Sequence, residues 1–255
     1  MLIQKAKDAV RDNAAKTKIL IYGDSGAGKT WLAAGSLRPL VVLTEPNGFT
    51  SAMHSNGEAL IVECPDPKTL REVVVAAKDG KIEGHEFDTI VFDSLTEIQQ
   101  MFKNEILEKS GKSRFTLQMW GDLADSMRGF IRVIRDIPLH VVCICLQESE
   151  LDEADGMRHI KPMFQGKKTA NEVNQYFNAV GCIYKELSDE GLLRKIMFEG
   201  PSRVHCKSTF PIPQVITNPN MAKIQTAIMT GVYQEEVILK EQPKQKTKKS
   251  KSKEK

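Results

Sequence analysis

The chain has 255 residues and a mass of 28.5 kDa, and with 41% hydrophobic and 27% charged residues it has the composition of a folded protein with a sizeable core. The mean hydropathy is −0.31 and the sequence holds no run of about 18 apolar residues, which excludes a membrane-spanning helix. The first five residues do not lead into the apolar segment of a signal peptide. We therefore expect a cytoplasmic protein with no membrane partner.

The net charge of +3 is distributed unevenly along the chain. Residues 240–255 carry eight lysines and two glutamates, whereas residues 1–239 carry 28 basic and 31 acidic side chains. This pattern indicates a basic tail on a slightly acidic body. Because its lysine, glutamine, serine and threonine bury little apolar area, the tail is predicted to be disordered. The predicted organisation is an N-terminal extension at 1–15, one folded domain at 16–239 and the tail at 240–255.

Five short apolar runs recur along the first part of the chain, at residues 18–22, 40–43, 59–62, 89–92 and 140–146. Continuous Val/Ile/Leu runs of this length are typical of strands that are buried on both faces of a sheet. Helix-like segments separate the runs, as expected for a mainly parallel sheet covered by helices. The sequence therefore predicts an α/β fold.

Helix start and stop signals lie between these runs. Asp66 and Pro67 precede an apolar periodic segment as an N-cap and first-turn pair. Ser94 and Glu97 form a capping-box pattern ahead of the next helix. A third segment keeps helical spacing until Pro138.

The pattern changes after residue 147. Residues 148–168 are predicted to form a polar loop or hairpin, and a helix is expected over residues 170–177. Two further apolar runs, 180–185 and 193–198, are joined by the turn sequence at 188–191 and predict a terminal antiparallel hairpin.

The cysteines and histidines do not show metal-ligand spacing. The five cysteines include no CxxC pair and lie mostly in apolar runs, so we expect reduced core residues and no structural zinc. They are Cys64, Cys143, Cys145, Cys182 and Cys206.

One motif is strongly specific. Residues 23–30 fit the pattern GxxxxGK[ST], follow an apolar run and precede a helix-like segment. Glycines at these positions let backbone N–H groups face a polyphosphate, while Lys29 reaches the β- and γ-phosphates and the Thr30 hydroxyl binds Mg²⁺. The sequence therefore predicts a nucleoside polyphosphate and Mg²⁺ as ligands; that the nucleotide is ATP is implied by the family resemblance given below. The predicted nucleotide-binding residues are Gly23, Asp24, Ser25, Gly26, Ala27, Gly28, Lys29 and Thr30.

A magnesium ion at this loop needs a carboxylate from a neighbouring strand. Asp93 follows the apolar run at 89–92 and is predicted to be that Walker-B acid, so the predicted metal residues are Thr30 and Asp93. Ser94 occupies the position where many AAA+ ATPases have a catalytic glutamate, so hydrolysis would need another carboxylate.

Two strand-end residues are candidates for the remaining roles. Glu45 follows the run at 40–43, at the sheet edge where ligands of open α/β sheets bind, and could orient the attacking water. Gln147 follows the run at 140–146 and could sense the γ-phosphate. The predicted catalytic residues are thus Lys29, Glu45 and Gln147. The alternatives are that Glu45 is an ordinary loop acid and that Gln147 is a surface glutamine at a strand end.

Four segments together resemble RecA-superfamily ATPases: residues 23–30, the Thr44-Glu45 pair, residues 90–96 and residues 145–148. The chain is most similar to the short, core-only ATP-binding proteins of bacteriophages that are associated with single-strand annealing and recombination. The resemblance covers residues 16–210. It implies a RecA-like domain with a C-terminal antiparallel hairpin, ATPase activity with Glu45 as the water-activating acid, and single-stranded DNA as a partner.

The resemblance also implies a homo-oligomer, as a ring or filament, and a phage or host replication or recombination protein as a further partner. Lys207 resembles the position from which a neighbouring subunit's cation reaches the γ-phosphate. The loop after Gln147 would face DNA, although it opens with an acidic run that repels phosphate. Within this loop, contacts with DNA are expected from Arg158, His159, Lys161, Lys167 and Lys168.

Other functions remain open at this point. A small-molecule kinase would use the same loop, but residues 148–168 contain only Arg158 where such enzymes carry an arginine-bearing lid. A GTPase is disfavoured because no [NT]KxD motif is present. A nucleotide-gated scaffold or loader would bind ATP with little turnover. The lysine-rich tail could contact DNA phosphates, aid solubility or bind an acidic partner.

Overall fold

The computed structural model describes five segments of the chain, all of them within the predicted folded domain. The predicted N-terminal extension and the lysine-rich tail lie outside them, as do Lys167 and Lys168. The described residues are 16–45, 48–153, 156–166, 172–189 and 191–233.

A single large sheet organises the described part of the chain. Its order is β12-β10-β9-β1-β7-β6-β2-β3, with β8 paired to β7 and β11 paired to β9. A separate two-stranded ribbon pairs β4 with β5. The strands are β1 (Lys18–Gly23), β2 (Pro39–Leu43), β3 (Leu60–Glu63), β4 (Lys81–Ile82), β5 (His85–Glu86), β6 (Thr89–Asp93), β7 (His140–Leu151), β8 (Arg158–Pro162), β9 (Ala179–Ser188), β10 (Gly191–Met197), β11 (Lys207–Ser208) and β12 (Val215–Thr217).

The five apolar runs form β1, β2, β3, β6 and β7, and these five strands pair with one another in parallel. The strand β9 also pairs in parallel with β1, and the strands beyond it are antiparallel. The predicted α/β fold, with a mainly parallel sheet and a C-terminal antiparallel hairpin of β9 and β10, is therefore confirmed. The polar segment after Gln147 is also a hairpin, formed by the second half of β7 and by β8.

Side chains cap two helices at the predicted positions, but the predicted capping box of Ser94 and Glu97 is only half formed, because the N–H of Ser94 donates to Thr44 Oγ1. The Asp66 carboxylate accepts hydrogen bonds from two backbone N–H groups of the following helix, and Ser94 Oγ accepts one of 3.2 Å from the backbone N–H of Glu97. Of the helix expected at 170–177, the structure describes a 3₁₀ turn at Val173–Tyr176. The α-helices are α1 (Lys29–Ala34), α2 (Phe49–Ser55), α3 (Pro67–Ala76), α4 (Leu95–Ser110), α5 (Leu117–Asp136) and α6 (Met221–Thr230).

The sheet is buried on both faces. Successive residues of β1 enter opposite apolar clusters: Leu20 and Tyr22 pack with α3, α4 and α5, and Ile19 and Ile21 pack with α1 and α6. This double burial explains why the parallel strands are mostly apolar, with polar residues such as Lys18, Thr89 and His140 at their first positions. Four of the five cysteines are buried and all five are free thiols, with Cys206 partly exposed. Among the described helices, none is long and apolar enough to cross a membrane.

A buried histidine joins the starts of β1 and β7. His140 is 2% exposed, and its Nδ1 accepts hydrogen bonds from the Thr17 backbone N–H at 3.1 Å and from the Thr17 hydroxyl at 3.0 Å. The pKa of His140 is lowered from 6.5 to about 4, chiefly by burial and also by the positive charges of Lys16 and Lys18, while Asp88 opposes the shift. Protonation of Nδ1 would remove both acceptor contacts.

We expect this histidine to make folding stability depend on pH. Because the pKa is lower in the folded state, the unfolded chain binds more protons, and stability is lost as the pH falls from 6.5 towards 4. At pH 5 the loss attributable to His140 should be about 2 kcal/mol relative to pH 7. The measurement is urea unfolding at the two pH values for the wild type and for His140→Asn, whose side-chain oxygen can replace the Nδ1 acceptor. An equal pH dependence in both proteins would contradict the assignment.

Candidate functional site

Residues 23–30 run from the last residue of β1 through a loop at 24–28 into the first turn of α1, and glycine is required at three of these positions. Gly26 and Gly28 have φ angles of +75° and +100°, which residues with a side chain rarely adopt. Gly23 is required because a Cβ there would lie 2.3 Å from the carbonyl oxygen of Ile183 on β9. The backbone can therefore curl tightly at the end of β1.

Lys29 is folded back against the loop that precedes it. Its side chain is largely buried, and its ammonium donates hydrogen bonds to the carbonyl oxygens of Gly23 at 2.9 Å and Asp24 at 2.7 Å. Burial lowers the pKa of Lys29, and the nearby carboxylates, chiefly Asp93, oppose that shift. The loop thus holds one cation beside the curled backbone.

Thr30 and Asp93 are joined across the end of the sheet. Thr30 Oγ1 donates a hydrogen bond of 2.6 Å to Asp93 Oδ2. Burial raises the pKa of Asp93 and Glu45 raises it further, whereas the hydrogen bond from Thr30 and the charge of Lys29 lower it. A hydroxyl and a carboxylate at this separation can both bind one oxygen-preferring cation such as Mg²⁺.

Thr44 locks the ends of β2 and β6 together and thereby positions Glu45. The backbone N–H and the hydroxyl of Thr44 each donate a hydrogen bond of 2.9 Å to the carbonyl oxygen of Asp93, and the N–H of Ser94 donates one of 3.0 Å to Thr44 Oγ1. Glu45 is exposed and is the next residue after Thr44, whose hydrogen bonds fix the backbone there. Burial raises the pKa of Glu97, and the charge of Glu45 adds to the shift.

These groups border one cleft of about 390 Å³ at the carboxyl ends of β1, β2 and β6. A glycine-rich loop, a cation and a hydroxyl–carboxylate pair are the groups that a magnesium nucleotide requires, so the site fits this ligand. The cleft is lined by Ser25, Gly26, Gly28, Lys29, Thr30, Trp31, Glu45, Ser51, His54, Asp93, Ser94, Ile144, Leu146 and Arg194.

Three of the predicted loop residues, Gly23, Asp24 and Ala27, do not line the cleft but form hydrogen bonds that stabilise the loop. Gly23 and Asp24 accept the hydrogen bonds of Lys29, and the N–H of Ala27 donates a hydrogen bond of 3.1 Å to the carbonyl oxygen of Asp24. The predicted site residues Lys29, Thr30, Glu45 and Asp93 all lie in the cleft lining.

Gln147 and Lys207 are placed differently. Gln147 lies one residue beyond Leu146, the last residue of β7 that pairs with β1, and is opposite Pro162 in the hairpin; it does not line the cleft. The ammonium of Lys207 donates a hydrogen bond of 3.0 Å to the carbonyl oxygen of Asn174 in the same chain. The roles of γ-phosphate sensor and trans-acting cation stay predictions.

The hairpin of β7 and β8 carries paired charges. Lys161, one of the expected DNA contacts, forms an ion pair with Glu150 and lies 4.0 Å from Glu148. His159 Nε2 is 3.8 Å from an oxygen of Asp152. Arg158, at the start of β8, is exposed. The four acidic residues at 148–153 outnumber Arg158 and Lys161, so the described hairpin carries no net positive charge when His159 is neutral.

Sequence reasoning missed four polar or aromatic side chains of the cleft. Trp31 follows the phosphate-binding motif directly, Ser51 and His54 come from α2, and Arg194 comes from β10. The position of Trp31 next to Thr30 was a signal that could have been used. No local pattern marks Arg194, because strand pairing alone brings it to the loop.

Alanine at the two glycines with positive φ should separate strain from steric conflict. Both Gly26→Ala and Gly28→Ala strain the backbone by about 1 kcal/mol, which lowers the population of the curled loop and weakens nucleotide binding about fivefold. At Gly26 a Cβ would meet no atom within 4 Å, whereas at Gly28 it would lie 2.6 Å from Arg194 Nε. A Cβ at Gly28 must displace the side chain of Arg194, which lines the cleft, so we expect Gly28→Ala to lose more ATP affinity than Gly26→Ala in calorimetric titrations. Equal losses would show that the contact with Arg194 is unimportant.

Comparisons with known proteins identify the family. The AAA_24 family model, described as an AAA domain, matches residues 15–210. No curated protein matches the chain significantly. Among solved structures, the chain is similar to a KaiC-like protein from the hyperthermophilic archaeon Pyrococcus horikoshii OT3, at 13% identity over 80% of this chain and 89% of that chain, with a TM-score of 0.44. It is also similar to the flagellar accessory protein FlaH from Methanocaldococcus jannaschii, at 13% identity over 86% of this chain and 96% of that chain, with a TM-score of 0.41. Because the family model covers well over half of the 255 residues, the chain belongs to this family of AAA domains.

Proposed function

We propose that the protein is a magnesium-dependent ATPase whose catalytic centre is the cleft at the carboxyl ends of β1, β2 and β6. The observation that carries the proposal is the 2.6 Å hydrogen bond between Thr30 and Asp93, in a cleft that also contains Lys29 and Glu45. These four side chains come from three strand ends and supply the groups that phosphoryl transfer to water requires.

Each side chain has a separate task in this proposal. The curled loop and Lys29 bind the phosphates, and Thr30 and Asp93 hold the metal ion. Bound Mg²⁺ supplies charge neutralisation at the phosphate oxygens. The ammonium of Lys29 can exchange its hydrogen bonds with Gly23 and Asp24 for hydrogen bonds with phosphate oxygens, which are charge-assisted on both sides and therefore stronger.

Glu45 is the carboxylate best placed to orient water. Asp93 is engaged by Thr30, and Ser94 has no acidic group, so neither can accept a proton from water freely. Glu45 is exposed, lines the cleft and is held at its base by the hydrogen bonds of Thr44. Glu97 is close enough for its pKa to respond to Glu45 but does not line the cleft.

Glutamine substitutions at the two carboxylates should distinguish their roles. We expect Glu45→Gln to lower the rate of ATP hydrolysis about 100-fold with ATP affinity retained, because the amide binds water but cannot accept its proton. Glu97→Gln is the matched control and should stay within about twofold of the wild type. The measurement is phosphate release at saturating ATP and Mg²⁺, with Lys29→Ala as the blank. Loss of activity in Glu97→Gln alone would assign the role of general base to Glu97 instead of Glu45.

Single-stranded DNA and self-assembly form the finer part of the proposal. The resemblance to phage ATP-binding recombination and annealing proteins supports them, and the eight lysines within residues 240–255 could neutralise DNA phosphates. The ion pair of Lys161 with Glu150 argues that the described hairpin contributes little net attraction to DNA. DNA contacts are therefore assigned mainly to the tail and to the lysines outside the described segments. In an assembled ring or filament, Lys207 would be the cation offered to a neighbouring site.

Deletion of residues 240–255 should weaken binding of single-stranded DNA and leave nucleotide affinity unchanged. Counterion release drives this binding, and such binding weakens steeply between about 50 and 200 mM salt. The difference in DNA affinity between the full chain and the deletion should therefore shrink over that range. The rate of ATP hydrolysis, measured with and without single-stranded DNA, shows whether DNA binding stimulates hydrolysis. Equal DNA affinity for the two proteins at low salt would remove the tail from the proposal.

A further inference from the structure

A second cation, Arg194, lies against the phosphate-binding loop of the same chain. Its guanidinium stacks on the indole of Trp31, with 4.9 Å between Cζ and the ring centroid. Arg194 Nε is so close to Gly28 that a Cβ at that glycine would lie 2.6 Å from it. The guanidinium thus packs between the loop backbone and the aromatic ring.

The backbone of Arg194 is fixed by strands on both sides. On β10 it is opposite Lys185 of β9, and its carbonyl oxygen accepts a hydrogen bond of 2.7 Å from the N–H of Asn218. The side chain therefore reaches the loop from a strand of the sheet, and Trp31 restricts the orientation of its planar head. This placement is preorganised, as a ligand-binding arginine requires.

The charge of Arg194 has no counterpart in the described part of the chain. Its Nε is buried without a hydrogen-bond partner, and no carboxylate there lies within ion-pair distance of its guanidinium. The next residue, Lys195, differs in this respect, because it forms an ion pair with Glu186. A buried donor without a partner destabilises the protein unless a ligand satisfies it.

Building on the proposed function, we propose that Arg194 is a phosphate-binding residue that acts within its own chain, at the α- and β-phosphates of the nucleotide. In a phosphate-binding loop the lysine and the threonine serve the β- and γ-phosphates and the metal, whereas the loop backbone surrounds the α- and β-phosphates. Arg194 contacts that backbone at Gly28 and stacks on the residue that follows Thr30. The contact is therefore common to ADP and ATP.

The test compares Arg194→Gln with Lys195→Gln, two neighbouring substitutions that each remove one positive charge. Affinities for ADP and for ATP are measured by calorimetry with Mg²⁺ present. Arg194→Gln should weaken both nucleotides by the same factor, about tenfold or more, because a charge-assisted hydrogen bond is lost in both complexes. Lys195→Gln should bind both nucleotides like the wild type. Arg194→Lys should recover only part of the loss, since an ammonium cannot reproduce the planar stack on Trp31.

Tryptophan fluorescence gives a second readout. The chain has two tryptophans, so in a Trp120→Phe background only Trp31 reports on the site. Nucleotide binding should change its emission, and Arg194→Gln should alter that change. Thermal unfolding of each variant shows whether the domain stays intact.

The outcomes separate this proposal from the function on which it rests. Unchanged ADP and ATP affinities in Arg194→Gln, with binding lost in Lys29→Ala, would overturn the role of Arg194 and leave the ATPase proposal standing. Loss of ATP affinity with ADP affinity retained would also overturn it, because the contact would then be with the γ-phosphate. If the wild type bound neither nucleotide, the proposed function itself would fail.

Discussion

The hydrogen bond between Thr30 and Asp93 is the contact on which the arrangement of the site depends. It joins the first turn of α1, which follows β1, to the last residue of β6, although β7 lies between β1 and β6 in the sheet. The contact can form because the parallel strands all end at the same edge. The bonds of Thr44 to the backbone of Asp93 then add the end of β2 to the same point.

At this edge of the sheet lie three charged side chains that form no ion pair with one another. Lys29 uses two carbonyl oxygens as acceptors, Asp93 accepts from a neutral hydroxyl, and Arg194 has a buried donor without a partner. The opposite pKa shifts of Lys29 and Asp93 have one common cause, which is burial of a charged form. A ligand that brings both anionic oxygens and a divalent cation would satisfy all three groups at once, and this requirement supports a magnesium nucleotide over a simple anion.

The parts of the fold and the site that follow local rules could be predicted from the sequence. Strands buried on both faces are mostly apolar, so the five parallel strands could be recognised as apolar runs. The loop glycines could be recognised because the backbone needs positive φ angles or close packing at their positions. Asp93 and Glu45 could be placed because each lies at the carboxyl end of such a strand: Asp93 is the last residue of β6, and Glu45 is two residues beyond β2. Gln147 was harder to place, since β7 continues beyond the sheet edge as one arm of a hairpin, and an apolar run does not show where pairing changes partner.

Arg194 could not be predicted for a different physical reason. It lies about 160 residues after the loop, on an antiparallel strand whose pairing with β9 decides which side chains face the nucleotide cleft. The same strand pair also constrains the loop itself: β9 pairs in parallel with β1, and the carbonyl oxygen of Ile183 permits only glycine at position 23. The C-terminal hairpin is therefore a wall of the site, and any displacement of β9 relative to β1 would move both the loop and the arginine that packs on it.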